Sequence, residues 1–359
     1  MQQAIPLDLE SIKRLFSKKF LLVITISIPS AIFADYFNVP LAWMIGPMIA
    51  VSIAALNGLK IFMPRLALSS ILIILGLHIG NYIDQNLISQ MVNWIWTTII
   101  MLGYIVVSIV IVSKYLQKFS GYNEKTSIFS AAPGALGPLM ILAEYEKSDL
   151  SQVATAHLIR LIIIITVFPF IIVNLSASDT LEIQKFDYMS QNHWDLVLLI
   201  IASIIFIFCF DKAKIPAALL SGTLVASGVL QIFDIASYKL PDASINFCLL
   251  ILGASVGCRF TNKTVKEVAN NSFHGLVATI LLVFLGLLAA FIATFFVDNN
   301  FLTLVLSFCP GGIYEVAVIA IAFDLEPDFV AFHHIIRLLF ILFVVPLILR
   351  LVERTKIKN

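Results

Sequence analysis

Six residues able to do chemistry stand inside otherwise apolar stretches: His157, Arg160, Glu315, His333, His334 and Arg337. Arg160 and Arg337 each lie about ten residues into an apolar run, which at ~1.5 Å per residue places them near the centre of a bilayer. A charge at that depth costs at least ~2.5–3.5 kcal/mol on insertion scales, so it is paired or lines a cavity. His157 and His334 precede the arginines by three residues and share a helix face with them. A guanidinium fork matches the geometry of a carboxylate. Two such forks against one carboxylate, Glu315, leave an excess of positive charge that suits a small anionic ligand. Each residue also has a structural reading. The arginines would hydrogen-bond backbone carbonyls, Glu315 would pair with Arg337, and the histidines would be hydrogen-bonded packing residues.

These residues recur in a duplicated pattern. Ala132-Pro133-Gly134-Ala135 is answered by Cys309-Pro310-Gly311-Gly312, and the offset of 177 residues also links His157 to His334, Arg160 to Arg337 and Pro169 to Pro346. Upstream, Asp35, Pro40 and Gly46 answer Asp211, Pro216 and Gly222 at 176, while Gly76 and Gly80 answer Gly253 and Gly257 at 177. A fixed offset over that span identifies two repeats. Glu315 falls opposite Pro138, so only the second repeat has the carboxylate.

The elements that position these residues are membrane helices. The chain is 60% hydrophobic and 13% charged, against about 25% charged in an ordinary soluble domain. Its mean hydropathy is +0.99. The first repeat, 20–173, offers six apolar elements near 20–34, 40–57, 66–83, 92–113, 126–142 and 151–173. The second, 195–350, offers six near 195–210, 216–233, 244–259, 273–297, 302–322 and 329–349. A polar outer linker spans 174–194, an amphipathic segment over 1–19 suits the membrane surface, and 351–359 is a basic tail. The lipid bilayer is thus the first partner. No basic stripe with interleaved aromatics points to nucleic acid. Cys209, Cys248, Cys258 and Cys309 form no C-x-x-C pair, and no metal or cofactor motif is present.

Charge sets the expected topology. If every element crossed, Arg259, Lys263 and Lys266 would lie outside, against the positive-inside rule. If one element per repeat fails to cross, the repeats are inverted. Lys13–Lys19, Lys60, Arg65, Lys114, Lys118, Lys125, Lys212, Lys214 and the tail then lie inside, with both termini. Acidic Asp84, Asp234 and Asp298 lie outside, with Lys185 and Lys239, and Trp94, Trp96 and Trp194 sit near the outer interface. The non-crossing element is expected at Ser130–Pro138 and Ser307–Glu315, where Pro and Gly interrupt the runs. Matching interruptions in two repeats point to a transporter site. Gly46-Pro47 with Ser221-Gly222 is the alternative. The fold expected is an all-α polytopic membrane protein of two inverted repeats, each of about five crossings plus one broken or re-entrant Pro-Gly element. Gly76, Gly80, Gly253 and Gly257 are expected to allow close helix packing.

Pro310-Gly-Gly-x-x-Glu315, followed by Phe332-His333-His334-Ile-Ile-Arg337 and Pro346, resembles the AbrB-type membrane family, which is distinct from the DNA-binding regulators sharing that name. The resemblance runs from about residue 20 to 355 and departs at Ala135, where glycine is usual, and at Pro138, where an acid is usual. It implies two duplicated halves in a bacterial inner membrane. Combined with the residues, it gives a secondary transporter of a small organic anion, not an enzyme. Pro133, Gly134, Ala135, Arg160, Pro310, Gly311, Gly312, Glu315 and Arg337 would bind substrate. Glu315, His157 and His334 would couple transport to a proton or sodium ion. A membrane oxygenase, a non-transporting regulator and a homodimeric state stay open.

Overall fold

The computed structural model describes residues 9–83, 91–134, 136–175, 193–215, 217–236, 238, 240–261, 263 and 265–358. Ala135, Asp84, Pro216, Lys239 and nearly all of the expected linker at 174–194 lie outside the described residues. Among the described residues every regular element is a helix. The amphipathic segment gives α1 (Leu9–Leu15), and the first repeat gives α2 (Lys18–Tyr36), α3 (Ala42–Leu56), α4 (Arg65–Gly80), α5 (Ile95–Ser120), α6 (Glu124–Ala131), α7 (Leu136–Tyr145) and α8 (Leu150–Leu175). The second gives α9 (His193–Lys212), α10 (Ala218–Ile232), α11 (Asp242–Cys258), α12 (Val265–Ala293), α13 (Phe301–Phe308), α14 (Ile313–Ala322) and α15 (Pro327–Lys358). Six of them, α2, α5, α8, α9, α12 and α15, are long and apolar enough to span a bilayer. The protein is an all-α, multi-pass membrane protein.

Local chemistry explains the boundaries. Ser17 ends the surface segment: its Oγ accepts the Phe20 N–H at 3.3 Å and starts α2 at Lys18. Lys18 and Lys19 therefore open the first long helix. At the other end α15 runs on to Lys358, so the basic tail extends a helix. Asn123 caps α6 through the Thr126 N–H at 2.8 Å, and Asn300 caps α13 through the Leu302 N–H at 2.9 Å. Trp94 is buried at 5% exposure, whereas Trp96 is 54% exposed. Two residues along a helix turn by ~200°, so only one of the pair can face lipid.

The chain divides into two compact units, and the division does not follow the repeats. One unit comprises Met1–Ser89, Phe168–Thr264 and Ala317–Asp328; the other comprises Gln90–Val167, Val265–Val316 and Phe329–Asn359. The first unit takes the first three long or apolar helices of both repeats. Glycines make their packing close. A Cβ on Gly76 would lie 2.5 Å from the Leu220 carbonyl oxygen, and one on Gly253 would lie 2.9 Å from the Met44 carbonyl carbon. Thus α4 packs on α10 of the other repeat, and α11 packs on α3. The Gly80–Leu224 and Gly257–Val51 approaches repeat this exchange one turn further on. Each contact has a twin with the repeats swapped.

The second unit packs α5 against α12 and α6, and α12 against α13. Val112, Leu116, Tyr122, Ala131, Ala278 and Leu282 form a buried cluster among them. Gly121, at φ 68°, closes α5 and lets Tyr122 fold back into that cluster.

Candidate functional site

Both Pro-Gly stretches interrupt the helix in the second unit. The chain leaves α6 at Ala132, which has ψ 125°, passes Pro133 and Gly134, and resumes as α7 at Leu136. It leaves α13 at Cys309, with ψ 130°, and resumes as α14 at Ile313. Proline has no N–H to continue the ladder. Gly134 sits at φ +98°, a conformation L side chains rarely adopt. By contrast Pro47 lies within a continuous α3, and Gly222 within a continuous α10. The interruption therefore falls at the Pro-Gly stretches and not at the alternative pair.

The first interrupted element turns back on itself. Lys125 Nζ at its start meets Glu146 Oε2 at its end at 2.6 Å, and the Asp149 N–H donates to Thr126 Oγ1 at 3.0 Å. Its first arm has 8 residues, about 12 Å or well under half a bilayer. Backbone groups exposed at such a tip require partners from the protein itself.

The histidines and arginines supply them. The last carbonyls of a helix have no intrahelical donor. His157 Nε2 donates to the Phe129 carbonyl at 3.0 Å; Arg160 donates through Nη1 to the Ala132 carbonyl at 2.7 Å and through Nη2 to the Ser130 carbonyl at 2.5 Å. In the second repeat His334 Nε2 donates to the Leu306 carbonyl at 3.0 Å. Arg337 donates to the Cys309 carbonyl through Nη1, and through Nη2 to the Gly311 carbonyl at 2.6 Å and His334 Nδ1 at 2.9 Å. The three-residue His–Arg spacing places two donors along one broken helix end. His334 is consequently a neutral ring: one nitrogen donates and the other accepts.

The two interruptions meet. A Cβ on Gly134 would lie 3.1 Å from Arg337 Nη2 and 3.2 Å from the Gly311 carbonyl oxygen. Gly134 and Gly311 are counterparts at offset 177, and a residue touches its own counterpart only near the axis relating the two copies. Pro133, Gly134, Arg160, Pro310, Gly311, Gly312, Glu315 and Arg337 are all in this unit, with His157 and His334. Tyr104 on α5, buried at 6% exposure, lies within electrostatic range of both arginines. Its hydroxyl donates to the Leu282 carbonyl at 3.2 Å. Sequence reading missed it because a tyrosine in an apolar helix carries no positional signal.

The copies differ in one respect. Glu315 is buried in the first turn of α14, and a Cβ on Gly312 would lie 2.9 Å from its carboxylate carbon. The carboxylate thus folds back over the start of α14, where free N–H groups and the helix dipole favour negative charge. The first repeat has Pro138 at that position. There, among the described residues, Arg160 Nε and Ser130 Oγ are buried without a hydrogen-bond partner. Ser130 was legible in the sequence as a polar residue at the interruption, but its lack of a partner was not.

The family model described as transition state regulatory protein AbrB matches residues 43–353. The chain belongs to the AbrB family. Among AbrB-like relatives, "Uncharacterized protein YhjN" of Bacillus subtilis (strain 168) is 22% identical, with 93% of each chain covered. "Putative regulator AbrB" of Escherichia coli (strain K12) is 24% identical, covering 88% of this chain and 91% of that one. No solved structure matches.

Proposed function

We propose that this AbrB-family protein is a secondary transporter of a small organic anion in a bacterial inner membrane, built of two inverted repeats with both termini cytoplasmic. The observation that carries this reading is the difference between the two interruptions. In the second repeat the Glu315 carboxylate fills the start of α14. In the first, a substrate carboxylate takes the corresponding place at the start of α7, held by Arg160 Nε, Ser130 Oγ and the backbone around Pro133, Gly134 and Ala135. Arg337, with Pro310, Gly311 and Gly312, forms the opposite wall, and Glu315 carries the coupling proton or faces the coupling sodium ion. His157 and His334 set the positions of the two broken ends. Alternating access follows from movement of the unit that holds the interruptions. The excess of basic residues in the loops assigned to the inside supports the inverted arrangement.

A second reading has its own observation: the Nη groups of both arginines are committed to break carbonyls. On that reading they lock the hairpins and bind nothing.

Ligand-dependent thermal shift on detergent-purified protein separates the two, with small carboxylates, amines, amino acids and divalent metals as the panel. Stabilisation by a carboxylate is expected, and Pro138→Glu is expected to abolish it while leaving the protein folded, because the new side chain supplies the anion itself. Arg160→Lys, which keeps the charge and loses the fork, is expected to weaken the response at least tenfold. No response to any anion, with Arg160→Gln and Arg337→Gln merely destabilised, establishes the locking role instead. A response to metal alone supports the membrane-enzyme reading.

A further inference from the structure

His333 lies outside the sites described so far and has no counterpart in the first repeat, where Ala156 occupies the equivalent position. It is fully buried at 0% exposure. Four aromatic rings surround it: Phe329 at 4.2 Å between centroids, Phe332 at 5.3 Å, and Trp94 and Phe308 at 6.3 Å each. Both ring nitrogens have oxygen partners. Nδ1 is 2.9 Å from the Phe329 carbonyl, and Nε2 is 2.8 Å from Thr97 Oγ1. The Thr97 hydroxyl is in turn 2.8 Å from the Trp94 carbonyl.

Counting protons decides what this arrangement holds. A carbonyl only accepts, so Nδ1 carries a proton. The Thr97 hydroxyl has one proton, and the Trp94 carbonyl can take part only by accepting it. Thr97 Oγ1 is then left to accept, so Nε2 must donate. All three contacts are made together only when both nitrogens are protonated. In the neutral ring Thr97 turns its proton to Nε2, and the Trp94 carbonyl keeps the Thr98 N–H, 2.9 Å away, as its one remaining donor. His334 differs, since its Nδ1 accepts from Arg337 and its ring stays neutral.

We propose that His333 is a buried proton-binding site, with Thr97 as the hydroxyl whose direction reports whether the proton is bound. Resting on the transport reading above, this is a proton site separate from Glu315, which carries the coupling proton or faces the coupling sodium ion. The groups that face it are few. The rings and hydroxyl from α5 and α13 are Trp94, Thr97 and Phe308; from α15 come Phe329, Phe332 and the neighbouring titratable His334, itself held by Arg337. Binding a proton here turns the Thr97 hydroxyl from His333 Nε2 to the Trp94 carbonyl, and so reverses the direction of the hydrogen bond between α5 and α15, the helix that carries Arg337.

Trp94 is a built-in reporter, because a protonated imidazole quenches a neighbouring indole. The experiment uses the full chain with Trp43, Trp96 and Trp194 changed to Phe, in lipid nanodiscs, with emission followed from pH 9 to pH 4. A single step of quenching as pH falls is expected. His334→Gln retains it and His333→Gln removes it. Thr97→Val takes away the acceptor for Nε2–H and moves the midpoint down by at least one pH unit, whereas Thr97→Ser keeps it in place. These threonine variants decide the matter if His333→Gln does not fold. No quenching step, or one that survives in both His333→Gln and Thr97→Val, overturns the proposal. Anion flux is measured separately in proteoliposomes. A titration without flux keeps the proton site and removes the transport reading; flux without a titration does the reverse.

Discussion

At the scale of single residues, the chemistry of the interruptions is set by which carbonyls and donors are left over. His157 and Arg160 take three carbonyls at the end of α6, and His334 with Arg337 takes two at the end of α13 and that of Gly311. A hydrogen bond to a charged donor is worth ~1.5–3 kcal/mol, and a buried carbonyl left unpaired costs about as much again. Gly134 is held by two constraints at once, its φ of +98° and the approach of Arg337 Nη2. Gly134→Ala is expected to destabilise by ~1–3 kcal/mol, the scale of a strained backbone position. Gly58, at φ +89° with open space around it, carries the strain alone. Gly58→Ala is therefore expected to cost less, by the amount that the approach of Arg337 adds at Gly134. Thermal denaturation of the two variants side by side measures the difference.

At the scale of elements, sequence and structure agree where periodicity and breakers speak. Pro133-Gly134 and Pro310-Gly311 divide their apolar runs as expected, and the glycine pairs on α4 and α11 face close neighbours. What a glycine faces still depends on its partner. A Cβ at Gly253 meets the backbone of α3, whereas one at Gly103 in α5 meets nothing within 4 Å. Gly253→Ala is expected to destabilise by ~1–3 kcal/mol through overpacking. Gly103→Ala is expected to be neutral or stabilising by up to ~1 kcal/mol, since it removes the helix penalty of glycine. Equal melting shifts in the two variants count against this packing. The amphipathic segment was legible only to its cap: apolar spacing runs on from Leu9 to Phe20, but Ser17 starts a new helix.

At the scale of the whole molecule, the repeat is a unit of sequence and not of folding. Each compact unit draws helices from both repeats, and α4 of one repeat needs α10 of the other to cover its glycine face. A single repeat would leave those faces, and the partner interruption at Gly311, without their contacts. Residues 1–175 and 193–359 produced separately are expected to be degraded or to aggregate. Produced together, they are expected to assemble and to regain the ligand response of the intact chain. Recovery of a folded, monodisperse single repeat would show that the exchange is not required.

The sequence by itself determined the membrane class, the duplication, the positions of both interruptions and the residues placed beside them. Hydropathy, a fixed offset and the absence of a proline N–H are local or periodic properties, and each is written in the order of residues. Only the tertiary structure decided that the first interrupted element turns back, that helices are exchanged between repeats, and that Gly134 meets Gly311. It also decided that His334 is neutral, that Glu315 folds over the start of α14, and that His333 lies against Thr97. These depend on which donor faces which acceptor across helices far apart in the chain, and the order of residues alone does not specify that distance.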